Sequence, residues 1–285
     1  MSRTDFLREV SDWLSTLPVD FFTKSVPPSG IDSFEIKNSN GKSLYIFPKS
    51  IYDFPEERNS NLSEFHQNAS TVILWDDVWY SKREIVKSRV KALLGISERI
   101  PARLTQARRL DRPATQRFLE ENHLQTSILS KYKYGLYLPK KHFRVIADPP
   151  EAEELLVAAA TFARPRVFDR EGSSHRSYEL VRFANLLNTT VVGGLDKLLS
   201  HFVKEHQPDD LMTYADLEWS SGRSYRKLGF EPHEDIPPQE FWVEITTMER
   251  FYPHRLPEGI LGESGQEQRF VKIKNAGSRK FVKNF

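Results

Sequence analysis

The apolar positions of the chain change period several times, and each change predicts an element. Over residues 4–16 (TDFLREVSDWLST), Phe6, Leu7, Val10, Trp13 and Leu14 recur at helical spacing behind a Thr-Asp cap, which predicts an amphipathic helix. The pattern then shortens. Ser33–Ile36 and Ser43–Phe47 alternate as strands do, and Asn40-Gly41 between them predicts a hairpin turn. The polar stretch Pro55–Asn68 reads as a loop with a short helix. Thr71–Trp75 (TVILW) is a continuous apolar run with polar flanks, the mark of a strand buried on both faces. Helical spacing returns from Lys82 to Leu94, with Ile85, Val86, Val90, Leu93 and Leu94 on one face and Gly95 as the stop.

A break near 97–102 (SERIPA) opens a second region. Ala102–Arg109 predicts a strand, and Asp111 with Pro113 behind it starts a helix that runs to Asn122. Tyr132–Pro139, Leu155–Arg164, Ser177–Ala184, Asp210–Ala215 and Phe241–Ile245 predict strands. Gly193–His206 predicts a helix with Leu195, Leu198, Leu199, Phe202 and Val203 on one face, and Gly222–Leu228 a short one. In the tail, Phe270, Val271 and Ile273, then Phe281 and Val282, suggest a hairpin. Alternating strands and helices give the class: α/β (α+β), a mixed sheet flanked by helices with a smaller N-terminal α/β segment. The expected division is 1–98, 99–250 and a basic extension 251–285.

Composition narrows the function. The 285 residues are 39% hydrophobic and 28% charged, a globular balance. The longest strongly apolar run, Leu155–Ala163, falls far short of the ~20 residues a membrane helix needs, so no membrane partner is expected. The N-terminus MSRTDFLREV carries acids and no apolar core, which predicts no secretory signal. Cysteine is absent, which excludes disulfides, thiolate zinc sites and cysteine nucleophiles and fits a cytoplasmic location. With 41 Lys and Arg against 39 Asp and Glu, affinity for nucleic acid would have to come from local charge. Two segments carry such charge. Between Ser81 and Arg117 eleven Lys and Arg face three acids, net +8, and Arg89, Arg108 and Arg109 are the candidate DNA contacts. The tail Gly265–Phe285 is net +5. Each also reads as an ordinary solvated surface.

Three constellations suggest chemistry. In Asn188-Thr-Thr-Val-Val-Gly-Gly194, a glycine turn leads into a helix, and the backbone of Thr190, Val191, Val192, Gly193 and Gly194 suits an anion such as a diphosphate. In Thr213–Phe230, Asp216 is placed to accept a proton or orient a basic group, and Tyr225 to protonate a leaving group. The same residues also read as a cap and a core aromatic. In Glu120–Gln125, His123 ends a helix, as a catalytic or binding residue or simply as a dipole partner. No metal site is expected: His201 and His206, five apart, do not share a helix face.

Thr189–Gly194 with its helix, followed by TYADLEWSSGRSYRKLGF, resembles the GNAT-type N-acetyltransferases over about residues 100–246. Tyr225, Gly229 and Phe230 match that family's Tyr-x-x-x-Gly-Phe ending. The resemblance implies that the glycine turn holds the diphosphate of acyl-CoA, acetyl-CoA first, and that Tyr225 stands near the thiol. It also implies that the strand 178–185 runs along the cofactor at Phe183, with Arg182, Tyr214, Trp219 and His123 toward the acceptor. The loop departs from the family pattern in lacking a basic residue and in carrying Leu195 where a small one belongs. FLEENHLQ, LVAAATFARPR, YELVRFANLLNTTVVGGLDKLL and SYRKLGF look like a phage-associated GNAT-like domain, distantly similar to Mom-type DNA-adenine-modifying proteins. Tyr214-Ala215-Asp216 matches their aspartate position, which implies an amine on a DNA base as acceptor.

TVILWDDVWYSKREIVKSRVKALLG resembles the last strand and helix of very-short-patch-repair-type, restriction-endonuclease-like nucleases. Glu35-Ile36-Lys37 has the acid-x-Lys spacing such an enzyme uses around a hard cation, but no acid precedes it on a strand, so the segment reads as degenerate. The expectation is an acyl-CoA-dependent N-acyltransferase. The alternatives are a non-catalytic DNA-binding module with a degenerate nuclease half, or a metal-dependent endonuclease at Glu35 and Lys37.

Overall fold

A computed structural model describes residues 3–26, 31–53, 70–125, 129–170, 172–256 and 269–285. Its first elements are α1 (Arg3–Ser15), β1 (Asp20–Val26), β2 (Ile31–Lys37), β3 (Ser43–Lys49), β4 (Ser70–Trp75) and α2 (Asp76–Leu94). Then come β5 (Glu98–Pro101), β6 (Gln106–Arg109), α3 (Arg112–Asn122), β7 (Tyr132–Pro139), β8 (Glu154–Phe162), β9 (Arg166–Arg170) and β10 (Ser173–Asn185). β11 (Thr189–Val192), α4 (Gly194–His206), β12 (Asp210–Asp216), α5 (Arg223–Lys227) and β13 (Glu231–Ile236) follow. The chain ends with β14 (Glu240–Glu244), β15 (Arg250–Phe251), β16 (Phe270–Lys274) and β17 (Ser278–Asn284). The short helix expected within 55–68 lies outside the described residues.

The chain packs as two units, and neither is a continuous stretch. The first takes Met1–Arg83, Ala215–Ser221 and Asp235–Arg279; the second takes Glu84–Tyr214, Gly222–Glu234 and Lys280–Phe285. The borders of these units fall at 83/84, 214/215, 221/222, 234/235 and 279/280.

In the first unit β1-β2-β3-β4 form a sheet, antiparallel except for the parallel pair β3 and β4. Phe6, Val10 and Leu14 of α1 are fully buried, as their spacing requires. A small sheet β15-β14-β16 shares a core with β4, built from Ile73, Trp75, Phe241, Val243, Met248 and Ile273. The tail hairpin does not form: β16 pairs with β14, whereas β17 lies between β13 and β12 in another sheet. Ile273 and Phe281 are both fully buried, each in its own sheet's core, so burial overrides the local hairpin pattern. The helix α2 begins six residues before the expected Lys82, which is itself a non-helical kink at φ −136°, ψ 33°.

The second unit is built on the order β13-β17-β12-β10-β8-β7-β6, with β9 on β10 and a separate parallel pair β5 and β11. Asp111 caps α3, accepting from Ala114 N at 2.8 Å. β8 is buried along Val157–Phe162, which explains its nearly continuous apolar run, Thr161 excepted. Ala159 packs in the cluster with Phe118 and Leu119 of α3, while Phe162 stacks on Phe202 of α4 at 3.9 Å. The strand expected over Ala102–Arg109 is instead a 3-10 turn, Ala102–Leu104, and the short β6. Thr105 closes that turn through its backbone N–H and hydroxyl, both on the Ala102 carbonyl.

Gly222 is required twice over. Its φ is +76°, and a Cβ there would lie 2.0 Å from Cζ of the fully buried Phe281. Gly222→Ala combines left-handed strain of about 1–2 kcal/mol with overpacking of about 1–3 kcal/mol. The expected result is a fall in Tm of roughly 5–15 °C by calorimetry, partly restored by adding Phe281→Leu. A fall of only a few degrees would show that Phe281 yields and that the backbone strain alone remains.

Candidate functional site

The central parallel strands of the second unit separate. β10 and β12 pair only over Ser177–Glu179 and Asp210–Met212, although the strands continue to Asn185 and Asp216. Past the last pair, Thr213 Oγ1 donates to the Leu180 carbonyl at 3.0 Å, a side-chain bond where the ladder has stopped. On its other edge β10 shifts register against β8 between Leu180 and Arg182. A bulge at this point bends the strand and re-aims its side chains. Diverging carboxyl ends of parallel strands are where open α/β sheets receive ligands.

After β10 the chain turns through β11 into α4. Gly193 caps α4 at φ +77° with no side-chain cap bond, which leaves the helix start to its backbone N–H groups. Gly194 is needed for packing: a Cβ there would sit 2.9 Å from Val191 and 3.3 Å from Leu136. The Thr190 hydroxyl bonds Ser97 Oγ at 2.7 Å, Val191 is buried and Val192 exposed. Asp196 stands exposed in the first turn, where its charge opposes a bound anion. Lys197 does not serve an anion. Its Nζ donates to the carbonyls of Ala102, at 2.9 Å, and Thr105, at 2.5 Å, and burial lowers its pKa. Arg99, an exposed cation on β5, pairs in register with Thr190. Sequence reading passed over Arg99 because about ninety residues separate it from the loop.

Tyr225 on α5 is half-buried, with Phe230 at 5.8 Å and Phe281 at 5.6 Å. Its hydroxyl bonds Thr213, and Arg89 and Arg182 act on it electrostatically. Burial pushes the phenol above its ordinary value, against the opposing pull of Thr213 and the two arginines, so it is protonated at neutral pH. The structure thus brings together Tyr225, Thr213, Arg182 and Arg89. Arg89, expected on a DNA-facing stripe, is half-buried beside a phenol instead. Phe183 is half-buried on β10 past the bulge, and Tyr214 is exposed at 38%. His123 closes α3, its Nδ1 accepting from Gln125 N at 3.1 Å, a local turn bond.

Some cations of the first basic segment and most of those in the tail meet acids. Arg108 binds Glu154 and lies over Tyr137 at 4.5 Å, and Arg109 binds Glu205. In the tail, Arg269 meets Glu244, Lys272 and Lys274 meet Glu240, Arg279 meets Asp235 and Lys280 meets Glu234. Their charge is compensated within the fold.

Asp216 and Trp219 are assigned to the first unit and Tyr225 to the second. The Asp216 carboxylate accepts from Glu218 N at 3.0 Å, and its carbonyl accepts from Trp219 N and Ser220 N. Trp219 is only 4% exposed. The same loop carries Glu218, which the sequence did not single out. Its carboxylate accepts from Trp75 Nε1 at 2.8 Å and faces Arg250 at 3.9 Å. Arg250 in turn grips Asp77 at 2.5 and 2.9 Å. Burial pushes the Glu218 carboxyl up to about 7, with Asp216 adding and Arg250 opposing. On β2, Glu35 is buried and bound by Lys37 at 3.1 Å and Tyr45 at 2.9 Å. Among the described residues no three His, Asp or Glu side chains gather as a metal would require. Among them, too, no helix is long and apolar enough to cross a membrane.

No protein-family pattern matches the chain, and no curated protein matches it. Solved structures do show a distant likeness. Arabidopsis thaliana NAA60 in complex with acetyl-CoA is 10% identical, covers 64% of this chain and 99% of its own, and aligns at a TM-score of 0.38. The NatC complex bound to Gag peptide and CoA aligns at 0.35, with 10% identity over 64% of this chain and 98% of that one. The Corynebacterium glutamicum structure described as histone acetyltransferase HPA2 and related acetyltransferase aligns at 0.36, with 12% identity over 63% and 96%.

Proposed function

We propose that the second unit is a GNAT-type acyltransferase that moves an acyl group from acyl-CoA to an amine. The observation that carries this reading is the early separation of β10 from β12, with an uncapped helix start following β10 and a protonated phenol held on β12. The residues fit the cofactor. The backbone N–H groups of Gly193 and Gly194 and the Arg99 guanidinium would hold the diphosphate, since Thr190–Val192 are paired with β5 and Val191 N donates to Asn185, and β10 past its bulge would present Phe183 and Arg182 to the rest. When bound, acyl-CoA supplies an acyl group activated as a thioester. Tyr225 Oη holds a proton for the departing thiolate, and Arg89 and Arg182 steady the phenolate that remains. Thr190 through its bond to Ser97, and Lys197 through its bonds to the Ala102 and Thr105 carbonyls, would position the loop.

Isothermal titration with CoA tests the reading. Saturable one-site binding is expected, weakened about ten- to a hundredfold in Arg99→Glu, as one charge-assisted contact of about 1.5–3 kcal/mol implies. Absence of binding at millimolar CoA would sink it. The narrower acceptor, a nucleobase amine, is tested by mass spectrometry of nucleosides from cells expressing the protein. An acyl mass that disappears with Tyr225→Phe supports it, and unmodified nucleosides move the acceptor to another amine class.

A further inference from the structure

The strand β9 is exposed at each of its five positions, including Val167 at 61% and Phe168 at 47%. It pairs with the first half of β10, Arg166 opposite Ser177 through Arg170 opposite Ser173, as a two-stranded ribbon. Alternation assigns the faces. Arg166, Phe168 and Arg170 share one face with Ser173, His175 and Ser177. Val167, Asp169, Ser174 and Arg176 share the other. The first face therefore carries two arginines flanking an aromatic ring and no carboxylate of its own strands. Phe168 rests against His175 with ring centroids 5.0 Å apart, and His175 is anchored by Asp210 at 2.6 Å. On the second face Asp169 is occupied by Gly172 N, and Arg176 by the Gln207 carbonyl and Asp209. Arg166 and Arg170 form no ion pair among the described residues, unlike Arg108 and Arg109.

We propose that this face of the β9–β10 ribbon binds single-stranded nucleic acid, with a base stacked on Phe168 and backbone phosphates on Arg166 and Arg170. Every base offers a π-face, so an exposed ring set between cations accepts an unpaired strand without regard to sequence. Arginine suits phosphate through its planar fork. An acidic peptide would satisfy the arginines but offer the ring nothing comparable. The inference stands apart from the acyltransferase reading, since none of these residues belongs to the Tyr225 site.

The test is fluorescence anisotropy with a labelled oligo-dT, an abasic strand of equal length, the corresponding duplex and polyglutamate. Oligo-dT is expected to bind best. Phe168→Ala should weaken it about tenfold, the effect of one lost stacking contact, and leave abasic binding unchanged. Arg166→Glu with Arg170→Glu should abolish most binding, while Arg166→Gln with Arg170→Gln should flatten the log–log salt dependence by about 1.4, the contribution of two single-strand phosphates. Phe168→Ala within twofold of wild type, polyglutamate competing as well as oligo-dT, or tighter binding of the duplex would each overturn the proposal. CoA titration of the same variants should match wild type, so the two readings fail separately.

Discussion

Arg250→Met is expected to destabilise the first unit by about 3–5 kcal/mol, the cost of leaving buried charge unmatched. Its guanidinium is the fork that holds Asp77, whose side chain is 1% exposed, and it lies within 3.9 Å of Glu218, 5% exposed. Methionine would preserve much of the packing against Trp75 and Phe241, each 5.8 Å from the guanidinium, while removing its charge. Total stabilities of domains run to about 5–15 kcal/mol, so the loss is a large fraction of what holds the unit together.

The pH dependence has a definite sign. Folding raises the Glu218 carboxyl from 4.5 to about 7, so its contribution to stability is full below 4.5 and is lost as pH rises through about 7. Removing Arg250 takes away a cation that favours the ionised form, which pushes the carboxyl further up. The defect should thus be smaller near pH 5 than near pH 8, about where the native carboxyl has ionised. Urea unfolding of wild type, Arg250→Met and Arg250→Met with Asp77→Asn and Glu218→Gln checks the argument. The triple variant should recover most of the loss. A single variant as stable as wild type at both pH values, or a triple variant no better than the single, would show that buried charge is not the cause.

Local periodicity found what local burial builds. Phe6, Val10 and Leu14 announced α1, the TVILW run announced β4, and the Leu198, Leu199 and Phe202 spacing announced α4. It failed where a strand buries little. β9 (RVFDR) is exposed throughout and β13 (EPHEDI) nearly so, and neither carries an apolar face for a pattern to show. Distance along the chain was the other barrier. Asp77 and Arg250 are 173 residues apart, and nothing local marks either as buried. The Tyr-x-x-x-Gly-Phe ending singled out Tyr225 in the sequence, but Arg89 looked like one cation among eleven, and its electrostatic effect on the phenol shows only in the fold. Formal charge overstates the tail's field in the same way, because Arg269, Lys272, Lys274, Arg279 and Lys280 are matched by Glu234, Asp235, Glu240 and Glu244 from preceding segments.

Tyr225→Phe is expected to lower kcat for acyl transfer by about 10²–10³, within the range of a lost general acid. The readout is thiol release from acetyl-CoA with whichever primary amine supports turnover in wild type. Phenylalanine keeps the contacts with Phe230 and Phe281 and removes only the hydroxyl, so the CoA Kd should change less than about threefold. A rise in KM with kcat intact would mean that Tyr225 binds rather than protonates. The pH profile separates the roles. Burial holds the phenol above its ordinary 10.0, so the alkaline limb of the wild-type rate should lie above pH 10 and vanish in Tyr225→Phe. Arg182→Gln removes a cation that stabilises phenolate, which should shift that limb upward and slow transfer at neutral pH. Thr213→Val removes a bond that also lowers the phenol's pKa, and should move the limb the same way. Should both variants leave the limb in place while Tyr225→Phe stays within twofold of wild-type activity, the proton for the thiolate comes from elsewhere and Tyr225 is a packing residue beside β12.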